Sequence, residues 1–131
     1  MPVVVGFIPT AEGRAALDAG IAEAVRRHSR VEVMVHATRG SDAPSLESAV
    51  AEANERLAQS DVPHQIHQVE RGSDIADDLI HLAQQRDAAM IVIGLRRRSP
   101  VGKLILGSNA QRILLDAPCP VLAVKPTRPH D

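Results

Sequence analysis

The sequence predicts an α/β protein built on a mostly parallel sheet with helices on both faces. Three observations predict it. Five short strand-like runs alternate strictly with four amphipathic ones, in the order β-α-β-α-β-α-β-α-β, and that alternation implies crossovers between parallel strands. The strongest apolar runs are continuous rather than alternating, as strands buried on both faces are. The 131 residues, 44% hydrophobic and 24% charged, suit a single domain over 1–131 with its own core. Right-handed crossovers leave few topologies for such a chain. No internal repeat, low-complexity segment or linker divides it.

Residues 2–8 form a β-branched run around Val3, Val4 and Val5, ended by Pro9. Thr10 is a helix N-cap candidate, and Leu17, Ile21, Ala24 and His28 then recur at helical spacing. Residues 31–37 read as the second strand. Residues 41–44 supply turn and capping groups for a helix marked by Leu46, Val50, Ala53 and Leu57. Residues 63–69 are more polar, and Ile66 alternates with Gln65 and Gln68 as an edge strand would. Gly72, Ser73 and Asp74 open a third helix with Ile75, Leu79, Leu82 and Ala83 inward. Its first turns carry Asp74, Asp77 and Asp78, where the helix dipole favours anions. Residues 88–95, AAMIVIGL, are the most apolar run and should lie at the sheet's centre beside the first strand. Gly107, Ser108 and Asn109 start the last helix, which carries Ile113 and Leu114 and stops before Pro118. Residues 120–124 are the last strand.

Composition excludes several functions. Fifteen basic residues against sixteen acidic ones give a net charge of −1, so a dedicated nucleic-acid binder is not expected. Phe7 is the sole aromatic, which removes base-stacking platforms for single strands. The lone Cys119 has no partner for an internal disulfide and reads as a small buried hydrophobe. No run approaches the length of a membrane span, and the first residues do not resemble a secretion signal. No membrane partner is expected, and a cytoplasmic location is.

In an open α/β sheet, ligands bind beyond the carboxyl ends of the strands, where strand order reverses. Two loops lead there: residues 8–13 and residues 94–108. The second has glycines at both ends, Arg96, Arg97, Arg98 and Lys103 between them, and a helix start at Gly107 and Ser108. Free N–H groups at a helix start, with arginines nearby, favour a phosphate. The plain alternative is a solvated basic turn. Other constellations carry less. Gly102-Lys103 is followed by Leu104, so it is not a phosphate-binding P-loop. His64 and His67 fall on opposite faces of a strand and share no metal. Asp77 and Asp78 diverge on a helix. His36 reads as a packed or hydrogen-bonded strand-end residue, and His81 as a helix-surface one. Glu12 is the carboxylate nearest the first loop, where it also complements the helix dipole. No nucleophile–base pair is apparent, so catalysis is not expected.

Gly94, Gly107 and Ser108 resemble the signature of nucleotide-binding universal stress proteins, in which Gly, two residues, Gly, nine residues and Gly precede Ser or Thr. The segment 117–125, APCPVLAVK, resembles that family's closing strand, and Val35-His36 the end of its second strand. The similarity runs over nearly the whole chain. It implies a flavodoxin-like five-stranded sheet in the order 3-2-1-4-5 and a cytoplasmic homodimer, which the apolar last strand Val121–Val124 would join. It also implies ATP or another nucleotide between strands 1 and 4. The residues around that cleft are Gly94, Arg96, Arg97, Arg98, Gly102, Gly107, Ser108 and Asn109, with Ile8, Pro9 and Ala37 at the nucleoside end. Two positions depart from the family pattern. Arg97 stands at the second glycine, where a side chain takes space that backbone leaves open. Ile8 stands where the family has an Asp that holds the nucleoside. The departures point to weak, poorly selective nucleotide binding, or to an interaction module of the same fold with a filled cleft.

Overall fold

The computed structural model describes residues 1–36, 43–69, 74–96 and 106–126. Five strands pair in parallel: β1 (Val3–Phe7), β2 (Val31–Val35), β3 (His64–Gln68), β4 (Met90–Gly94) and β5 (Val121–Val124). Their order is β3-β2-β1-β4-β5, the order that the resemblance implied. β1 takes the middle and β4 sits beside it, one place from where the most apolar run was expected. Four helices connect the strands: α1 (Ala11–Arg27), α2 (Ala43–Ser60), α3 (Ile75–Arg86) and α4 (Ser108–Asp116).

Period-two alternation in β1 splits the core into two layers. Val3, Val5 and Phe7 join Val31, Val33 and Val35 of β2 against Leu17 and Ile21 of α1 and Ala49, Ala53 and Leu57 of α2. Val4 and Met34 face the other way with Ile91 and Ile93 of β4. They pack on Ala76, Leu79, Leu82 and Ala83 of α3 and Ile113 of α4. Both faces of β1 are thus apolar because helices cover both.

Local signals set the helix ends. The Thr10 side chain accepts from the Gly13 N–H at 3.1 Å, and Asp74 caps α3 by accepting from the Asp77 N–H at 3.0 Å. His28, expected to face inward, is instead the exposed left-handed cap that ends α1, with φ of 53°. Ile80 and Ala76 take the buried places in α3 beside Leu79, while Ile75 at the helix start is only half-buried. Leu114 is exposed, and Ile113 is the buried anchor of α4.

Glu32 breaks the apolar run of β2 and is 1% exposed. Its carboxylate is not stranded. His67 Nε2 lies 2.6 Å away, Arg30 Nε 3.0 Å and Arg86 Nε 3.5 Å. A buried charge with such partners is tolerated, whereas an unpaired one would not be. The cluster ties the polar edge strand β3 to the sheet.

Candidate functional site: the carboxyl edge between β1 and β4

Strand order reverses at β1 and β4, so their carboxyl ends border the crevice where ligands bind in such sheets. The β1 end is built tightly. The Ile8 carbonyl accepts from the Thr10 N–H at 2.8 Å. A Cβ on Gly13 would collide with that same carbonyl, so only glycine lets α1 start this close to β1. Arg14 braces the turn from outside. Its Nε donates to Glu52 Oε2 of α2 at 2.6 Å, and its Nη2 donates to the Pro9 carbonyl at 3.5 Å. This hydrogen bond holds the Glu52 carboxyl below its ordinary range and raises the guanidinium.

The β4 end is equally tight. A Cβ on Gly94 would strike the Glu12 carbonyl, so the first turn of α1 rests directly on the end of β4. The Leu95 N–H donates to the Val124 carbonyl at 2.8 Å and continues the ladder. Arg96 then turns back, and its Nε lies 3.6 Å from Glu12 Oε2. An ion pair therefore links the two sides of the crevice.

α4 leaves the β4 loop and runs back along the sheet, so its start faces the same edge as β4's end. Gly107 is its N-cap, with φ of −72° and ψ of 168° and no side-chain cap bond. Ser108 and Asn109 follow in the first turn. A Cβ on Gly107 would meet no atom of the described residues within 4 Å. Neither the backbone conformation nor packing among the described residues calls for glycine there.

His36 ends β2 beside β1, its N–H donating to the Phe7 carbonyl at 3.0 Å. The side chain is 4% exposed, and its Nε2 has no hydrogen-bond partner among the described residues. Burial pushes its pKa down to about 4, against the opposing pull of the Phe7 carbonyl and of Asp78. The ring is therefore neutral at physiological pH. The packed reading of His36 holds, with one nitrogen left unanswered.

Ile8, Pro9, Gly94 and Arg96 border the crevice, and Gly107, Ser108 and Asn109 form the helix start. Ala37, Arg97, Arg98 and Gly102 lie outside the described residues. Sequence reasoning singled out Glu12 and Arg96 but not their pairing, and it missed the Arg14–Glu52 brace. Pairs so distant along the chain leave no local spacing to read. A surface groove of about 450 Å³ runs between α1 and α2, lined by Arg14, Asp18, Glu52, Glu55, Arg56 and Gln59. Its arginines are already paired, Arg56 with Asp18 at 2.8 Å and Arg14 with Glu52, so it reads as an inter-helix seam. Cys119 is half-buried against apolar neighbours and its thiol pKa is raised by burial, which suits packing and not nucleophilic attack. Among the described residues no three His, Cys, Asp or Glu side chains could hold a metal, and no helix is long and apolar enough to cross a membrane.

Comparison with known proteins agrees with this geometry. A universal stress protein of Mycolicibacterium smegmatis is 44% identical over 128 residues, which cover 95% of this chain and 97% of the relative. The solved universal stress protein from Archaeoglobus fulgidus is 31% identical, with a TM-score of 0.81 over 95% of this chain and 98% of its own. A second structure, the universal stress protein from Archaeoglobus fulgidus in complex with dAMP, is 24% identical, with a TM-score of 0.76 over 95% and 98%. At that identity it speaks to the fold alone. The sequence profile of the Universal stress protein family matches residues 1–125. With the 3-2-1-4-5 sheet, the glycine pair Gly94 and Gly107 and a match of this extent, the chain belongs to the universal stress protein family.

Proposed function

We propose that the chain is one universal-stress-protein domain that binds a nucleotide or related phosphate at the carboxyl edge between β1 and β4. The observation that carries this reading is the start of α4. The helix begins at Gly107 without a side-chain cap, in a backbone conformation open to any residue, and among the described residues no atom stands where a Cβ would. Asp, Asn or Ser would cap that helix better. A glycine that no described residue requires, beside N–H donors without a side-chain cap among the described residues, is what a phosphate approaching the backbone needs. Arg96, and Arg97 and Arg98 next to it in sequence, would add charged donors. A universal stress protein of the same fold, from Archaeoglobus fulgidus, carries dAMP.

Ile8 sets the selectivity. An apolar side chain at the nucleoside end reads neither base nor ribose hydroxyl, so ATP, GTP and inorganic tripolyphosphate should differ by roughly tenfold or less. Calorimetry with those three ligands tests the reading, with discrimination beyond about 200-fold marking a site that reads the nucleoside by hydrogen bonds. Binding with shallow discrimination supports it. Tight and strongly ATP-selective binding contradicts the role given to Ile8. An absence of binding at millimolar ligand favours the second reading, an interaction module of the same fold, which Ile8 also suits.

A two-fold dimer through Val121–Val124 is part of the proposal. β5 is an unpaired sheet edge, and Leu122 on it is 37% exposed. Leu114 and Leu115 of α4 add exposed apolar surface, Leu115 at 83%. Antiparallel pairing with a second copy would satisfy the edge and give an isologous contact. Sedimentation equilibrium decides it, since a lone 14.0 kDa species would contradict the dimer.

A further inference from the structure

An acid, Glu12, is paired with Arg96, one of the arginines assigned to the proposed anion. Glu12 lies in the first turn of α1, and its backbone is fixed from both sides. Its carbonyl rests against Gly94, and the next residue, Gly13, rests against the Ile8 carbonyl. The Glu12 side chain is 13% exposed, while that of Arg96 is 57% exposed. The carboxylate is thus the enclosed partner and the guanidinium the exposed one. Their separation of 3.6 Å is longer than a hydrogen bond. The contact is a charge pair that can open without breaking a directional bond.

We propose that Glu12 is the specificity-determining residue of the β1/β4 crevice, a charge gate that holds Arg96 and favours phosphates of low charge. The proposal rests on the anion-binding reading above and names the ligand class within it. A phosphate that recruits Arg96 must take it from Glu12. Once it has done so, the freed carboxylate remains beside the ligand because its backbone cannot withdraw. The repulsion grows with the ligand's negative charge. A monophosphate or cyclic phosphate diester meets it mildly, a triphosphate severely. Charge thereby supplies a discrimination that Ile8 cannot supply through the base.

Calorimetry with AMP and ATP on wild type, Glu12→Gln, Arg96→Gln and the double variant tests this. Removing the gate should strengthen ATP binding by about fivefold, the scale of a surface ion pair, and AMP binding by less. The Glu12→Gln effect should shrink when Arg96 is already Gln, since the pair then has nothing to release. A helix-dipole role for Glu12 would change stability but leave the ATP-to-AMP ratio unmoved. Equal changes for both ligands, or none, overturn the gate while the binding site stands. Failure of every variant to bind either ligand at millimolar concentration overturns the site reading and the gate together.

Discussion

His36 should make the protein acid-sensitive over a defined range. Its side chain is 4% exposed and its pKa is lowered from 6.5 to about 4, first by burial, with the Phe7 carbonyl and Asp78 acting against the shift. The unfolded chain takes up a proton on this ring below about pH 6.5, while the folded chain does so only near pH 4. A depressed histidine is thus neutral and harmless above its unfolded value. Its contribution to stability is lost as pH falls from about 6.5 toward about 4 and changes no further below that. A shift of that size corresponds to about 3 kcal/mol, a large share of the ~5–15 kcal/mol of a typical domain. His36→Gln removes the titrating group, and denaturant unfolding of both proteins across this pH range isolates its effect. Other histidines and carboxylates titrate in both proteins, so they cancel in the difference. The wild-type curve should fall about 3 kcal/mol further than the variant's between the two limits. Parallel curves would refute the argument from burial. Asp78→Asn, which removes a charge that raises the His36 pKa, should deepen the fall by extending it to lower pH.

Glu52→Gln should cost up to ~1 kcal/mol at neutral pH, as partly exposed ion pairs do. Because Arg14 holds the Glu52 carboxyl below its usual range, that loss should vanish in thermal melts as pH falls below the ordinary carboxylate value. Gly13→Ala forces a Cβ into the Ile8 carbonyl and should destabilise by about 1–3 kcal/mol in urea titrations, in line with overpacking. An unchanged midpoint would show that the β1–α1 turn yields freely. Cys119, its thiol pKa raised by burial, should react with iodoacetamide more slowly in the native protein than in denaturant. Equal rates would place the thiol in solvent.

The strands were legible wherever burial imposed one chemistry on a whole segment. β1 and β4 are continuous apolar runs because helices cover both faces, and β3 is polar because it lies at an edge with half-exposed faces. Thr10 and Asp74 were legible as helix starts because capping is a local bond. Periodicity misplaced His28, since the last residue of a helical pattern is also where a left-handed cap can end it. It misplaced Leu114 because α4 lies at the rim and buries a single residue. At the crevice, glycine spacing identified Gly94 and Gly107. What spacing could not reveal was that Glu12 occupies Arg96, that Glu52 occupies Arg14, or that Glu32 is buried among Arg30, His67 and Arg86. All of those contacts except Arg30 with Glu32 join distant parts of the chain and exist only after the sheet has assembled.

Gly107→Asp tests the central claim most directly. The position has the extended backbone of an N-cap and, among the described residues, open space for a side chain, so Asp should cap α4 and raise stability by a few tenths of a kcal/mol. The same carboxylate would stand at the helix N–H groups assigned to phosphate and repel an incoming anion. Calorimetry with AMP, read beside a thermal melt of each protein, should therefore find a variant that is at least as stable as wild type yet binds AMP at least tenfold more weakly. A variant that binds AMP as well as wild type would contradict the placement of the ligand at the start of α4.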